Sequence, residues 1–195
     1  MPSLKKITFR NEAGNEYEIE LSLNDAAIMD DHVDIDIHGR QRRSPEEEWT
    51  EESFTARFDY RNAQLLVLYR GERIGVIDLN DADILENAVA AEEDGDEGSW
   101  EVISNWLEDN GESVEHVIDH IPAIDPVFGC LIRAGLSTTI GQFISCYPQV
   151  RRASETRWQW IANMLRCLGV NSFVMMAKFT KRTIRCALGA GWGLV

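Results

Sequence analysis

Apolar and polar residues alternate along the first eighty residues, with the period of two that is typical of half-buried β-strands. The alternation predicts six strands, at residues 6–10, 17–21, 32–38, 54–60, 64–70 and 73–79. Short segments at 13–15, 61–63 and 71–72 suit tight antiparallel turns. Residues 39–52, with Pro45 and three consecutive glutamates, are predicted to form a loop. We expect a mostly antiparallel sheet of about five or six strands.

The spacing of apolar residues becomes helical after Leu79. Helical periodicity in residues 81–125 predicts an acidic helical segment. Three further helices are predicted at 127–146, 151–168 and 172–188, and the last ends at a glycine-rich stretch. The predicted fold class is therefore α+β, an N-terminal mostly antiparallel β-sheet followed by a C-terminal α-helical bundle. We divide the chain into a sheet module (1–80), an acidic segment (81–125) and a basic, apolar three-helix module (126–195).

Charge is distributed very unevenly between the two ends of the chain. Residues 1–125 carry 10 basic and 32 acidic side chains, whereas residues 126–195 carry 9 basic side chains and one acid, Glu155. Sixteen of the acids lie between residues 74 and 132, where no Lys or Arg occurs. Such asymmetry is typical of proteins with a charged interaction surface. The overall charge of −14 means that direct nucleic-acid binding by the whole chain is not expected.

All four cysteines lie in the basic module, and two interpretations are open. If its helices pack up, down and up, two disulfides form, the first joining Cys130 to Cys167 and the second joining Cys146 to Cys186. The alternative is buried free thiols, which is favoured because the N-terminus lacks the apolar region of a signal peptide. No uncharged apolar stretch reaches about 18 residues, so no conventional membrane span is expected. These features predict a cytoplasmic protein.

The basic module contains a candidate binding surface. The cationic side chains of its last helix, spaced at i, i+3, i+4 and i+7, share one helix face, and two tryptophans precede them; the candidates are Lys178, Lys181, Arg182, Arg185, Trp158 and Trp160. Phe173, Met176, Thr180, Ile184 and Ala187 lie towards the other face. Basic helices of this kind bind anionic membranes. A protein partner is expected, and a membrane surface is a second candidate partner for residues 126–195.

The acidic segment carries a second candidate interaction site. Its densest part is an acidic block of five side chains: Glu92, Glu93, Asp94, Asp96 and Glu97. A dense group of carboxylates can occupy the basic groove of a nucleic-acid-binding protein. The block therefore supports an alternative function, an acidic immunity or anti-defence protein.

Metal binding is the third hypothesis. In the third strand, apolar residues define one face and four candidate ligands the other: His32, Asp34, Asp36 and His38. The same alternation is typical of the solvent-facing side of a half-buried strand, which is the simpler interpretation. His116 and His120 are one helical turn apart but lack the glutamate of the metalloprotease motif. Nucleotide-binding loops and nucleophile motifs are absent from the sequence, so no catalytic residue or cofactor is predicted.

These observations favour a non-enzymatic interaction protein, in which the acidic N-terminal module masks a cationic, amphipathic helical module. In layout the chain resembles toxin-like or bacteriocin-like precursors, in which an acidic part keeps a cationic part silent. That likeness implies a membrane-directed or partner-directed C-terminal module. The immunity or anti-defence protein is the alternative function, and a metal-dependent enzyme is the second alternative.

Overall fold

The computed structural model describes residues 3–24, 28, 30–80, 100, 103–109, 112–121 and 125–189. The N-terminal part is a six-stranded antiparallel sheet in which each strand pairs with the next along the chain. Its strands are β1 (Ser3–Arg10), β2 (Glu16–Asn24), β3 (His32–Arg42), β4 (Thr50–Asp59), β5 (Gln64–Tyr69) and β6 (Glu72–Asp78). The α+β class and all six predicted strands are confirmed.

The alternation of the sequence determines which face of the sheet is buried. Ile19 and Ile35 lie on the face that packs against the helices, and both are fully buried. The tight turns form where they were predicted, and Gly14 and Gly71 both have positive φ angles, 88° and 81°. A left-handed backbone conformation costs glycine far less than other residues, so these two glycines suit their turns.

The predicted loop at 39–52 is wrong at both ends, because β3 continues to Arg42 and β4 already begins at Thr50. Cross-strand ion pairs extend the β2–β3 ladder beyond the apolar alternation. Arg40 Nη2 donates to Glu18 Oε2 at 2.8 Å, and Arg42 pairs with Glu16. Opposite charges on facing strands stabilise a sheet much as apolar pairs do.

The helical part includes helical residues at 100 and 103–106, then a short hairpin, and it ends with three packed helices. Strands β7 (Glu108–Asp109) and β8 (Glu112–Ser113), which the sequence did not predict, pair with each other. The helices are α1 (Val114–Asp119), α2 (Pro126–Ala153), α3 (Arg157–Val170) and α4 (Ser172–Ala187). The predicted helix beginning near residue 81 and the acidic block at 92–97 lie outside the described residues.

The predicted boundary between the first two helices of the basic module is also wrong. Helix α2 continues through Pro148 to Ala153, and α3 begins only at Arg157. A proline inside a helix removes one backbone hydrogen bond. Burial of Tyr147 and Val150 on either side of Pro148 keeps this part of α2 packed, and Tyr147 contacts the ring of Trp160 at 5.5 Å between centroids.

Helix α2 is the central helix of the fold. It contacts strands β2, β3 and β4 as well as α3 and α4. With 28 residues it is about 42 Å long, roughly the combined length of α3 and α4. Arg182 of α4 contacts Thr138 of α2, and Cys186, further along α4, is bonded to Cys130 near the start of α2, so α4 runs antiparallel to α2.

One buried apolar cluster joins the sheet to the helices. It includes Ile37 of the sheet, Leu107 and Ile118 of the acidic segment, and Phe143 of α2. The aromatic rings of Phe58 and Phe143 lie 6.0 Å apart across this boundary. The division of the chain at residues 80 and 125 stays a prediction, while the core contains side chains from all three parts.

Candidate functional site

Helices α3 and α4 expose an unusual amount of apolar surface. Every large, highly exposed apolar side chain of the described residues lies between residues 158 and 188: Trp158, Val170, Phe173, Val174, Ile184 and Leu188. We call these six residues the C-terminal surface. Phe173 is 83% exposed and Leu188 is 77% exposed. Apolar side chains that stay exposed on one part of a folded protein often mark a contact site for a partner or a membrane.

The sequence segment that carries the C-terminal surface has charges of one sign. Residues 156–195 contain no Asp or Glu and six Lys or Arg. Of the cations on α4, Lys181 is exposed, and Lys178 and Arg185 are half-buried. The C-terminal surface is therefore apolar and cationic, and residues 156–195 contribute no acidic side chain to it.

Two of the predicted binding residues face the rest of the protein instead: Arg182 is buried and Trp160 is partly buried. Arg182 is 3% exposed, and its Nη1 donates a hydrogen bond of 2.8 Å to Thr138 Oγ1 of α2. Trp160 packs on Phe58, with ring centroids 5.8 Å apart. Trp158, by contrast, is 56% exposed and lies beside the guanidinium of Arg157.

The orientation of α4 explains this distribution. The side of α4 that packs against the protein carries Met175, Phe179, Thr183 and Cys186, with Arg182 among them. Phe173 and Ile184 consequently face outwards, near Lys181. Neither the predicted basic face nor the predicted apolar face of α4 is buried as a whole.

A groove separates α4 from the first strand. Its volume is about 710 Å³, and its lining includes side chains of both elements: Leu4, Lys5, Phe173, Met176, Ala177, Thr180, Lys181, Ile184 and Arg185. Most of this lining is apolar, and Lys5, Lys181 and Arg185 add positive charge. The sequence carried no signal for this groove, because the neighbourhood of β1 and α4 arises only from the packing of distant segments.

Between described residues, ion pairs join the acidic and basic parts of the chain at two places. Arg133 of α2 forms a two-pronged pair with Glu115, with distances of 2.8 and 2.8 Å, and also binds Asp119 at 2.8 Å. Burial acts to raise the pKa of Glu115, but hydrogen bonds from Arg133 and Trp100 outweigh it and lower that pKa. The second place is the ion pair of Arg157 with Asp31.

The metal-ligand stripe of β3 lies on the face opposite the helices, and its carboxylates already have protein partners. Asp34 accepts two hydrogen bonds of 2.9 Å from Arg57, and Asp36 accepts one of 2.7 Å from Thr55. His38 lies 4.0 Å from Glu51. Within the described part of the chain, no three His, Cys, Asp or Glu side chains form a group that could hold a metal.

Asp36 and the histidine pair of α1 also have contacts within the protein. Burial raises the pKa of Asp36 even though Thr55 donates to its carboxylate. The rings of His116 and His120 are tilted against each other, with centroids 4.0 Å apart, and His120 Nδ1 lies 2.8 Å from the carbonyl oxygen of His116. This pair therefore contacts its own helix backbone.

All four cysteines form disulfides, so the interpretation as free thiols is wrong for this structure. The predicted pairing is wrong too: Cys130 bonds to Cys186, and Cys146 bonds to Cys167. The prediction assumed that α4 runs parallel to α2. Because α4 runs antiparallel to α2 instead, its C-terminal end lies beside the N-terminal end of α2.

Helix α2 is the one helix of the described residues that could cross a membrane by length and composition. It contains Arg133, which is why the sequence shows no uncharged window of that length. In this structure, 83% of its most apolar 18-residue window is buried within the protein. The same properties are typical of the core helix of a soluble protein, and burial on this scale agrees with that role.

Comparisons with known proteins identify no relative of this chain. No protein-family model, no curated protein and no solved structure matches it.

Proposed function

We propose that the chain is a non-enzymatic interaction protein that binds an anionic membrane through the C-terminal surface. The observation that carries the proposal is the coincidence of exposed apolar side chains with positive charge on α4. Phe173 and Ile184 would enter the boundary between headgroups and acyl chains, while Lys181 would contact lipid phosphates. Basic helices bind membranes through this combination of apolar burial and charge.

The binding free energies expected of the individual side chains agree with reversible binding to a membrane surface. Each Lys or Arg close to an anionic leaflet contributes about 1 kcal/mol. Full burial of a side chain such as Phe or Ile contributes about 1.5–3 kcal/mol, and partial insertion contributes less. Two apolar side chains and two or three cations would therefore give weak to moderate affinity that falls with added salt.

The acidic N-terminal part has two roles in this proposal. Its sheet covers α2 and keeps that apolar helix inside the protein. Its net charge of −22 would be repelled by anionic lipid, so it would orient the molecule with α4 towards the membrane.

Flotation of the full chain with lipid vesicles tests the proposal. We expect binding to vesicles of phosphatidylcholine with about a third of phosphatidylglycerol, and little binding to phosphatidylcholine alone. The double substitution Phe173→Ser and Ile184→Ser should reduce binding about tenfold or more, because it removes two exposed apolar anchors without touching the core.

A matched pair of charge reversals separates a local effect from net charge. Lys181→Glu and Arg43→Glu change the overall charge equally, but Arg43 is exposed on the loop between β3 and β4. Only Lys181→Glu should weaken binding. If neither vesicle type binds the protein at low salt, or if both reversals have the same effect, membrane binding by α4 is wrong, and a protein partner becomes the hypothesis to pursue.

The alternative function, an immunity or anti-defence protein, depends mainly on the acidic block at 92–97. Those residues lie outside the described part of the chain, and this function stays a prediction. A pull-down of basic nucleic-acid-binding proteins that fails when Glu92, Glu93, Asp94, Asp96 and Glu97 are neutralised would support it.

The disulfides bear on where the protein acts. Disulfides persist in oxidising compartments and are rare in the cytosol. Two of them between helices favour a site of action with oxidised thiols, against the expectation of a cytoplasmic protein. Alkylation of the protein in intact cells before lysis, followed by mass spectrometry, shows whether the cysteines are oxidised there. Labelled cysteines would favour the cytosol, and unlabelled cysteines an oxidising compartment.

A further inference from the structure

The two disulfides lie in different surroundings. Cys130, Cys146 and Cys186 are 0% exposed, whereas Cys167 is 9% exposed. Cys167 also lines a pocket of about 300 Å³ between α2 and α3, together with Gln149, Val150, Ala153, Asn163, Arg166, Val170 and Asn171. A small molecule in this pocket would therefore meet Cys167, while the other three cysteines are fully buried.

Side-chain amides contact both sulfur atoms of the accessible bond. Asn171 Nδ2 donates to Cys167 Sγ at 3.3 Å, and Gln142 Nε2 donates to Cys146 Sγ at 3.7 Å. Hydrogen-bond donors stabilise a thiolate more than a disulfide sulfur, because the thiolate carries a full negative charge. Arg166, which lines the same pocket, adds positive charge that attracts an incoming thiolate.

We propose that Cys146–Cys167 is a site of thiol–disulfide exchange with small thiols, and that Cys130–Cys186 is an inert structural crosslink. This inference does not depend on the proposed membrane function. It depends on the pocket, on the two amide donors and on the difference in burial between the bonds.

The exchange is a two-step reduction. The thiolate of an external dithiol attacks Cys167 Sγ and forms a mixed disulfide, and the electron pair of the broken bond leaves with Cys146 Sγ as a thiolate beside Gln142. The second thiolate of the dithiol then attacks the external sulfur of the mixed disulfide and releases Cys167 as a thiolate. The protein disulfide gains two electrons, and the dithiol is oxidised to its own disulfide.

Reduction at this site would loosen one helix and leave the other attached. Helix α3 would keep only its noncovalent contacts with α2, while Cys130–Cys186 would still join the ends of α2 and α4. The reduced protein should therefore stay folded, and the accessible bond should re-form when an oxidant is added.

Timed reduction of the full chain under native conditions tests the proposal. The protein is treated with dithiothreitol, quenched with iodoacetamide at intervals and analysed by mass spectrometry of its peptides. Cys146 and Cys167 should be alkylated at least about tenfold faster than Cys130 and Cys186. If all four cysteines are alkylated at one rate, reduction is controlled by global unfolding and the proposal is overturned.

Gln142 and an asparagine of the pocket provide a test variant and its control. Gln142→Leu removes the donor to Cys146, the sulfur that leaves as a thiolate in the first step, and should slow alkylation of Cys146 and Cys167 several-fold. Asn163→Ala should leave that rate unchanged, because the Asn163 amide donates to Ser154 Oγ at 2.8 Å and not to sulfur. Equal rates in the wild type and both variants would overturn the role assigned to the amide donor.

Discussion

Tyr17 of β2 donates a hydrogen bond of 2.6 Å to Asp125 Oδ2, across 108 residues of sequence. The other oxygen of Asp125 accepts from the backbone N–H of Phe128 at 2.8 Å, so the same carboxylate caps the N-terminus of α2. Burial and the nearby Asp125 carboxylate raise the pKa of the Tyr17 hydroxyl well above its usual range. The hydroxyl therefore stays protonated and keeps donating at neutral and alkaline pH.

The two roles of Asp125 predict different costs for two substitutions. Tyr17→Phe removes one hydrogen bond and should lower the free energy of unfolding by about 1 kcal/mol. Asp125→Ala removes the helix cap as well and leaves the buried Tyr17 hydroxyl without its acceptor, so it should cost about 2–3 kcal/mol. Urea denaturation measures both values. Equal costs for the two variants would contradict the double role of Asp125.

The close approach of α2 to the sheet predicts a requirement for glycine at position 39. A methyl group on Gly39 would lie 2.6 Å from Phe128 Cε2 and 3.3 Å from Ile19 Cδ1. Both neighbours are fully buried, so neither ring nor side chain can move without disturbing the core. Gly39→Ala should therefore cost about 2 kcal/mol.

Two further variants control that prediction. Phe128→Leu, made together with Gly39→Ala, should recover part of the lost stability, and a double-mutant cycle gives the coupling between the positions. Gly169→Ala in α3, where a methyl group would meet nothing within 4 Å, should stabilise the protein by about 0.5–1 kcal/mol. If Gly169→Ala destabilises the protein instead, the cost of Gly39→Ala cannot be attributed to steric overlap alone.

Local sequence patterns predicted the strands well because a period of two is a property of neighbouring residues. The pattern failed at Arg40 and Arg42, where the strand continues through ion pairs that the apolar alternation does not report. The predicted end of α2 failed at Pro148, where burial of Tyr147 and Val150 maintains the helix.

The arrangement of the last two helices could not be predicted from the sequence. A single residue, Asn171, separates α3 from α4, and it caps both helices. Whether the chain reverses or continues there is decided by what each helix packs against. The direction of α4 determines the disulfide pairing, the inward position of Arg182 and the groove beside β1.

The ion pair of Glu115 with Arg133 predicts a specific dependence on pH. The pKa of Glu115 is lowered from its ordinary value of 4.5 in the folded protein. A carboxyl group with a lowered pKa stabilises the fold fully above its unfolded value, and that contribution is lost as pH falls through the folded value. Glu115→Gln should therefore cost about 2 kcal/mol at pH 7 and much less near pH 2.

Urea denaturation of the wild type and Glu115→Gln across pH 2–7 checks this dependence. Asp119→Asn serves as the control, because Asp119 binds the same arginine but its side chain is 61% exposed. Its substitution should cost less than about 1 kcal/mol at any pH. A constant difference between Glu115→Gln and the wild type over the whole range would contradict the assigned cause.

The disulfides provide the last prediction, because the two bonds close loops of different length. The sequence separation is 56 residues for Cys130–Cys186 and 21 residues for Cys146–Cys167. A crosslink stabilises mainly by limiting the unfolded chain, and the chain-entropy relation gives about 4 kcal/mol for the longer loop and about 3 kcal/mol for the shorter one. Paired substitution of Cys130 and Cys186 by Ala should therefore lower stability more than the same substitution of Cys146 and Cys167.

Urea denaturation of the two double variants gives the order directly. The difference should disappear when both variants are measured under reducing conditions, since neither unfolded chain then has a crosslink. A larger loss at Cys146 and Cys167 would mean that native packing of α3, rather than loop closure, determines the contribution of that bond.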